Sequence, residues 1–352
     1  TRSDTWVDVD GGISTLFVYS SKGRRELPND RILVEGAPEL IARGGTFVGQ
    51  HICVPLEGVA IQINAFNFPC WGMLEKLAPA ILAGMPVLVK PASSTAYLTE
   101  QMVRRIVESE ILPEGSVQLL CGSVGDLLDH VTCQDLVGFT GSAATAMKLR
   151  THPAITGKAV RLNAETDSLN CSVLGPDAVP GTPEFDLFIT EVFREMTGKA
   201  GQKCTAIRRA LVPEVCMDAV QDALIAKLDG LRIGLPSSKQ VDMGALAGMG
   251  QRDEVLQRVA ELARESRIVY QRETLELVEA DAQVGAFMSP VLLRVDDPHP
   301  GHPVHSVEAF GPVCSLLSYK DLAHAIELAR LGEGSLAGSL CSADDQVVKE
   351  FV

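Results

Sequence analysis

Short apolar runs alternate with longer segments of helical period through the middle of the chain. Val59-Ala60-Ile61-Gln62-Ile63 reads as a strand, residues 71–84 as a helix closed by Gly84, and Pro86-Val87-Leu88-Val89 as a short buried strand. Thr95 starts a helix over 95–110, Val117-Gln118-Leu119-Leu120 is the next strand, and a short helix follows near Asp126–His130. Leu136-Val137-Gly138-Phe139 is a fourth strand, and Gly141-Ser142 opens another helix. Strands that alternate with helices at this spacing predict an α/β fold with a parallel, doubly wound sheet. In such a sheet, helix N-termini above the carboxyl ends of the strands form an anion site.

The flanks read differently. Residues 13–20 and 31–57 hold strand-like runs broken by turns, which suggest a hairpin arm. Pro180-Gly181-Thr182-Pro183 resembles a linker with a helix start built in, Thr182 as cap and Pro183 at the first position. That helix runs to about Lys199. Ile207–Val212 follows as a strand, 214–230 as a helix, and Val291–Val295 and Val313–Tyr319 suggest a second α/β domain. Val160-Arg161-Leu162 is a further short strand-like run.

Charge and cysteine usage narrow the chemistry. A net charge of −14 argues against nucleic acid or an anionic membrane as partner, and no apolar run reaches membrane-spanning length. The nine cysteines contain no C-x-x-C pair, which argues against structural zinc, a disulfide framework or a metal site, and predicts reduced thiols in a cytoplasm. The chain opens on Thr1-Arg2-Ser3-Asp4 without Met or signal peptide and closes inside a helical pattern at Lys349-Glu350-Phe351-Val352. Both ends read as cut, so a fragment of a longer protein is expected.

The candidate chemistry centres on Ala200-Gly201-Gln202-Lys203-Cys204-Thr205. Cys204 stands in a Gly-containing turn beside a lysine, and a neighbouring cation favours the thiolate. A lone cysteine is more commonly a core residue, but this turn exposes backbone N–H groups suited to an oxyanion. Asn67, past a strand end, can aim its amide N–H at the same charge or simply form a turn. Lys90, in Lys90-Pro91-Ala92-Ser93, suits a ribose or phosphate, or is a solvated surface lysine. Phe139-Thr140-Gly141-Ser142 can offer backbone N–H groups and the Ser142 hydroxyl to a pyrophosphate, or be an ordinary strand–helix turn. Glu165 can serve as a general base or be a surface acid. Glu308, in Glu308-Ala309-Phe310-Gly311-Pro312, can bond ribose hydroxyls or sit in a turn.

Each signal is weak alone, but their order is not. Asn-Phe-Pro, Lys-Pro-Ala, Phe-Thr-Gly-Ser, Glu, Gly-Gln-x-Cys and Glu-x-Phe-Gly-Pro, in that succession, resemble the aldehyde dehydrogenase superfamily from about residue 30 to the end. Ile63–Pro69, Gly72–Pro79, Glu165–Asn170 and Ala200–Arg209 further resemble a bacterial branch that acts on CoA-linked semialdehydes after ring opening of activated aromatics. The Glu165-Thr166-Asp167 form points to its benzoate rather than its phenylacetate member.

The resemblance implies a Rossmann-like coenzyme domain over 1–28 and 58–176, an oligomerisation arm over 29–57 and a catalytic domain over 177–352, incomplete at its end. It implies that Cys204 attacks the aldehyde, that Asn67 and the Cys204 N–H hold the oxyanion, and that Glu165 activates the hydrolytic water. Lys90, Ser93, Thr140, Gly141, Ser142, Glu308 and Phe310 would hold the cofactor, together with Ile63, Asn64, Ala65, Phe66, Thr166 and Asp167. A homodimer is implied, with no metal.

Three departures matter. Thr166, Asp167 and Ser168 replace the usual Leu-Gly-Gly, and Ala146 replaces a Gly that lets backbone approach the phosphates. Ser93 stands where NAD-preferring members carry a Glu. A carboxylate repels a 2′-phosphate and a serine does not, so NADP is expected over NAD. Competing readings are a CoA-acylating dehydrogenase, disfavoured by Glu165, a non-catalytic structural protein on the same fold, and a thiol hydrolase. No histidine lies in a motif tying it to Cys204.

Overall fold

The apolar runs between Val59 and Phe139 form the strands expected of them. The computed structural model describes residues 1–352. Its contacts divide them into one unit of Thr5–Thr166 and a second of Thr1–Asp4 with Asp167–Val352.

In the first unit, β1 (Leu33–Leu40) and β2 (Val48–Cys53) pair antiparallel as the expected hairpin arm. Next come β3 (Ala60–Ile63), β4 (Val87–Lys90), β5 (Val117–Leu119), β6 (Leu136–Thr140) and β7 (Arg161–Glu165). They form one sheet in the order β5-β4-β3-β6-β7, with every neighbouring pair parallel. Ala60, Val87, Val89 and Val137 are almost fully buried, because helices cover both faces of the sheet. Helices Trp71–Leu82 and Ala96–Glu108 lie over one face, and Ala143–Arg150 and Pro153–Gly157 over the other. Strand order reverses between β3 and β6, the point at which doubly wound sheets bind ligands beyond their strand ends.

Residues 13–20 are the main correction. They are not a strand but the middle of helix Gly11–Glu26. The reason is tertiary. A Cβ on Gly12 would stand 3.1 Å from the Trp71 Cα, and one on Gly23 would stand 2.9 Å from Leu82 Cδ2. The missing side chains let this helix lie directly on helix Trp71–Leu82. Asp8 adds to the junction by accepting the N–H groups of Cys70 and Trp71 at 3.3 and 2.9 Å. The packing overrides the β preference of this Ile-, Thr- and Val-containing run.

The second unit contains β8 (Cys171–Leu174), β9 (Arg209–Pro213), β10 (Ile233–Gly234), β11 (Arg267–Tyr270), β12 (Leu277–Val278), β13 (Val291–Val295), β14 (Val313–Tyr319) and β15 (Gly338–Cys341). Six of them build a sheet in the order β11-β13-β14-β9-β8-β15, parallel throughout except for β11 against β13. Strands β10 and β12 pair separately. Helix Pro183–Thr197 begins as the sequence predicts: Thr182 Oγ1 accepts the Phe185 N–H at 3.3 Å, and Pro183 takes the first position. The boundary expected after residue 176 lies inside the second unit, where β8 pairs with β9 and β15. The arm falls within the first unit. No helix is long and apolar enough to cross a membrane.

Candidate active site

After helix Pro183–Thr197 the chain turns sharply. Lys199, Ala200 and Gly201 all have positive φ, at 53°, 51° and 68°. For the first two this costs on the order of 1 kcal/mol each, and neighbours hold them there. The Lys199 N–H donates to Asp4 Oδ1 at 2.8 Å, and the Ala200 methyl is buried in the core. Gly201 is required twice over. Its φ is left-handed, and a Cβ would lie 2.1 Å from the Gly311 carbonyl oxygen. This turn delivers Cys204, half-buried, at the head of a bend whose next residue, Thr205, is exposed.

Lys203, the cation beside Cys204 in sequence, has an acidic partner of its own. Its Nζ lies 2.8 Å from Glu195 Oε2, and both side chains are largely buried. The carboxylate one helical turn upstream of the loop takes up the cation, so Lys203 anchors the loop to its own helix.

The peptide groups on either side of Cys204 are held from two directions. Arg208 Nη2 donates to the Gly201 carbonyl at 2.9 Å and to the Lys203 carbonyl at 3.3 Å. The Cys204 carbonyl accepts from Ser168 Oγ at 2.5 Å and from Asn170 Nδ2 at 2.7 Å. Asn170 Nδ2 also donates to Ser168 Oγ and the Ala206 carbonyl, while Asn170 Oδ1 accepts the N–H groups of Leu336 and Ala337. Gln202 links the loop further: Nε2 donates to the Phe310 carbonyl, and Oε1 accepts the Ala247 N–H.

Glu308 and Phe310 meet the same arginine. Arg208 Nε lies 3.1 Å from Glu308 Oε1, its Nη1 donates to the Gly311 carbonyl at 2.9 Å, and its guanidinium sits 5.2 Å from the Phe310 ring centroid. Glu308 Oε2 accepts the Ser168 N–H at 3.2 Å. Burial pushes the Glu308 carboxyl up, and Asp167 adds to the rise. Arg208 and the Ser168 N–H oppose it. The adjacent Arg209 is fully buried and donates to the carbonyls of Leu169, Leu328 and Ala329 and to His305 Nδ1. Burial lowers His305 to about 4, so its ring is a neutral acceptor at neutral pH.

The remaining predicted residues lie in the first unit, where parallel register aligns them along one edge. Ile63 pairs with Lys90 on one side and Phe139 on the other, and Thr140 pairs with Glu165. Asn64, Ala65, Phe66 and Asn67 continue directly from the end of β3, and Thr166 follows β7. Lys90 Nζ donates to the Pro91 carbonyl at 2.9 Å, and Ser93 is exposed in the turn after β4. Ser142 caps helix Ala143–Arg150 by accepting the Thr145 N–H, as its sequence position implies, and the Gly141 N–H donates to the Glu165 carbonyl. Ala146 is buried in the core layer under the sheet. Asp167, grouped with Thr166 by sequence, belongs to the second unit and is exposed.

A nicotinamide dinucleotide fits this edge. Buried Asn64 has neither amide atom hydrogen-bonded, and the Thr140 hydroxyl is buried without a partner. Both stand at the ends of β3 and β6, where strand order reverses. Orphaned polar atoms at a switch point are what a polar ligand would satisfy. On the exposed arm, Glu35, His51 and Cys53 bring one ligand atom each within 4.8 Å of one another. His51 Nδ1 is hydrogen-bonded to Glu35, which accounts for that pair without an ion.

Local pattern points to no role for Ser168, Asn170, Gln202 or Arg208. The structure makes Arg208 a salt bridge and a loop clamp together. The available signal was a charged pair, Arg208-Arg209, inside the apolar run Ala206–Val212.

The family model described as "Aldehyde dehydrogenase family" matches residues 1–352. The chain is 48% identical over 353 residues to the 3,4-dehydroadipyl-CoA semialdehyde dehydrogenase of Aromatoleum evansii, covering 100% of this chain and 68% of that protein. Among solved structures it matches betaine aldehyde dehydrogenase from Staphylococcus aureus in complex with NAD+, with a TM-score of 0.83 and 23% identity, over 100% of this chain and 66% of that one. It also matches succinic semialdehyde dehydrogenase from Streptococcus pyogenes in complex with NADP+, with a TM-score of 0.81 and 19% identity, over 97% and 70%. The chain thus spans about two thirds of the length of these relatives.

Proposed function

The chain belongs to the aldehyde dehydrogenase family, and we propose that it oxidises a CoA-linked semialdehyde to the carboxylic acid, using NADP. The observation that carries the chemistry is the loop around Cys204: a half-buried cysteine whose flanking carbonyls are fixed by Arg208 on one side and by Ser168 and Asn170 on the other. Such fixation sets a nucleophile's geometry before substrate arrives.

The Cys204 thiolate adds to the aldehyde carbon, forming a C–S bond and an oxyanion. The Cys204 N–H and the Asn67 amide stabilise that charge. A nicotinamide dinucleotide held at the strand ends would supply the hydride acceptor; loss of hydride from the C–H bond of the thiohemiacetal carbon, with collapse of the oxyanion to a carbonyl, would leave a thioester on Cys204. Glu165 takes a proton from water as the water attacks the thioester, releasing the acid and the thiol. Asn64, Lys90, Thr140, Gly141, Ser142, Ile63, Ala65, Phe66, Thr166, Asp167, Phe310 and Glu308 bind and orient the dinucleotide. The roles of Asn67 and Glu165 rest on the motif order.

Two observations support the finer assignments. The 48% identity to a 3,4-dehydroadipyl-CoA semialdehyde dehydrogenase supports that aldehyde as substrate. An exposed serine at Ser93, rather than an acid, supports NADP. The arm exposes Val34, Leu40, Ile41, Phe47 and Val48, which supports docking of a second copy in a homodimer.

The test is kcat/KM of the full-length enzyme on a panel of free and CoA-linked semialdehydes with each nucleotide. A preference for 3,4-dehydroadipyl-CoA semialdehyde and NADP is expected. No oxidation of any aldehyde would overturn the function, and equal rates on short free aldehydes would overturn the substrate class.

A further inference from the structure

Arg208 uses more of its donors on the nucleophile loop than a buried ion pair needs. Nε serves Glu308 and Nη1 the Gly311 carbonyl, while Nη2 alone spans the carbonyls of Gly201 and Lys203. The residue is 5% exposed and immediately precedes β9, where its N–H donates to the Asn170 carbonyl at 3.1 Å and its carbonyl accepts the Ser315 N–H at 2.9 Å. Its reach therefore ties the turn that carries Cys204 to a rigid element.

The Lys203 carbonyl belongs to the peptide whose N–H is that of Cys204. Every peptide bond here is trans, so the two groups of that plane point in opposite directions. Drawing the Lys203 carbonyl toward the buried guanidinium turns the Cys204 N–H the opposite way. The next peptide is fixed independently, because the Cys204 carbonyl is held by Ser168 and Asn170.

We propose that Arg208 is a positioning residue for Cys204: its grip on the Gly201 and Lys203 carbonyls sets the plane of the Lys203–Cys204 peptide, and so aims the N–H that receives the oxyanion. The proposal deepens the reading of Cys204 as the carbonyl-attacking nucleophile and rests on it. A lysine cannot take over. It keeps the charge but has three donors on one atom and no planar fork, so it cannot span Glu308, Gly311, Gly201 and Lys203 together.

The test separates attack that makes an oxyanion from attack that does not, and needs no nucleotide. With p-nitrophenyl acetate, the thiolate forms a C–S bond at the ester carbonyl through an oxyanion, and p-nitrophenolate leaves. With iodoacetamide, the thiolate displaces iodide and no oxyanion forms. Both rate constants are measured on the full chain for wild type, R208K and R208Q, with Cys204 identified as the modified residue by peptide mass.

Acylation is expected to fall at least tenfold in R208K and further in R208Q, with alkylation within threefold of wild type. Acylation within threefold in R208K, or equal losses in both reactions, overturns the proposal. If both variants lose the wild-type melting transition, Arg208 is purely structural and the proposal falls. Wild type that acylates at Cys204 but oxidises no aldehyde counts against the proposed function while leaving Arg208 to be judged by its variants. Wild type that does not acylate overturns both.

Discussion

Arg208 Nε lies 3.1 Å from Glu308 Oε1, with the arginine buried and the acid largely so. The second carboxylate oxygen is also engaged, by the Ser168 N–H. The acid proposed to hold ribose hydroxyls is thus braced from within its own unit before any nucleotide binds. Removing one member of such a pair strands the other and costs about 3–5 kcal/mol.

This pair predicts a pH dependence for nucleotide binding. Burial raises Glu308 above its ordinary 4.5, against the opposing pull of Arg208. A raised carboxyl takes up its proton at a higher pH, and once neutral it accepts ribose hydrogen bonds less well. The KM for NADP should therefore rise as pH falls, beginning above 4.5. Removing the guanidinium in R208Q should move that limb to still higher pH. KM profiles of wild type and R208Q decide the matter; an acid limb that stays in place would show that Glu308 does not set it.

Asn170 makes a prediction of different character. Its side chain donates to Ser168, Cys204 and Ala206 and accepts from Leu336 and Ala337. Asn170→Ala strands several buried groups at about 1–3 kcal/mol each, so a loss of about 3 kcal/mol or more is expected. Asn170→Asp should be worse despite its shape, because a carboxylate oxygen would face three acceptors. Denaturant melts rank the two; an Asp variant as stable as wild type would refute the network.

Replacing Glu165 by Gln should leave thioester formation intact and stop its hydrolysis. One burst of NADPH per active site should be followed by turnover slowed by about 10²–10⁴. Mass spectrometry should find the acyl group on Cys204. Undiminished steady turnover would remove Glu165 from the mechanism.

Ser93→Glu should reverse nucleotide choice. A carboxylate near a 2′-phosphate costs about 1 kcal/mol or more per charge pair even in water. kcat/KM with NADP is expected to fall at least tenfold while that with NAD changes less. A wild-type enzyme that already prefers NAD would sink the argument at its root.

Several features were legible along the chain for a simple reason: their causes are local. The parallel strands of the first unit appear as apolar runs, and Thr182-Pro183 announces its helix through capping chemistry. Gly201 marks the turn that leads to Cys204 because a left-handed φ and a touching backbone leave room for nothing larger. Residues 13–20 misled because their local preference is for a strand, and only Gly12 and Gly23, closing on a helix some sixty residues away, make them helical.

By itself, the sequence determined the alternation of strands and helices and the motif order on which the proposal of Cys204 as nucleophile rests. Only the tertiary structure decided what surrounds that residue. Lys203 pairs with Glu195, and Arg208 donates to the carbonyls of Gly201 and Lys203. The physical reason is range. Arg208 meets Glu308 across 100 residues, and Asn170 meets Ala337 across 167. A donor's choice among distant carbonyls is set by which strands become neighbours in the sheet, and no local window of residues carries that information.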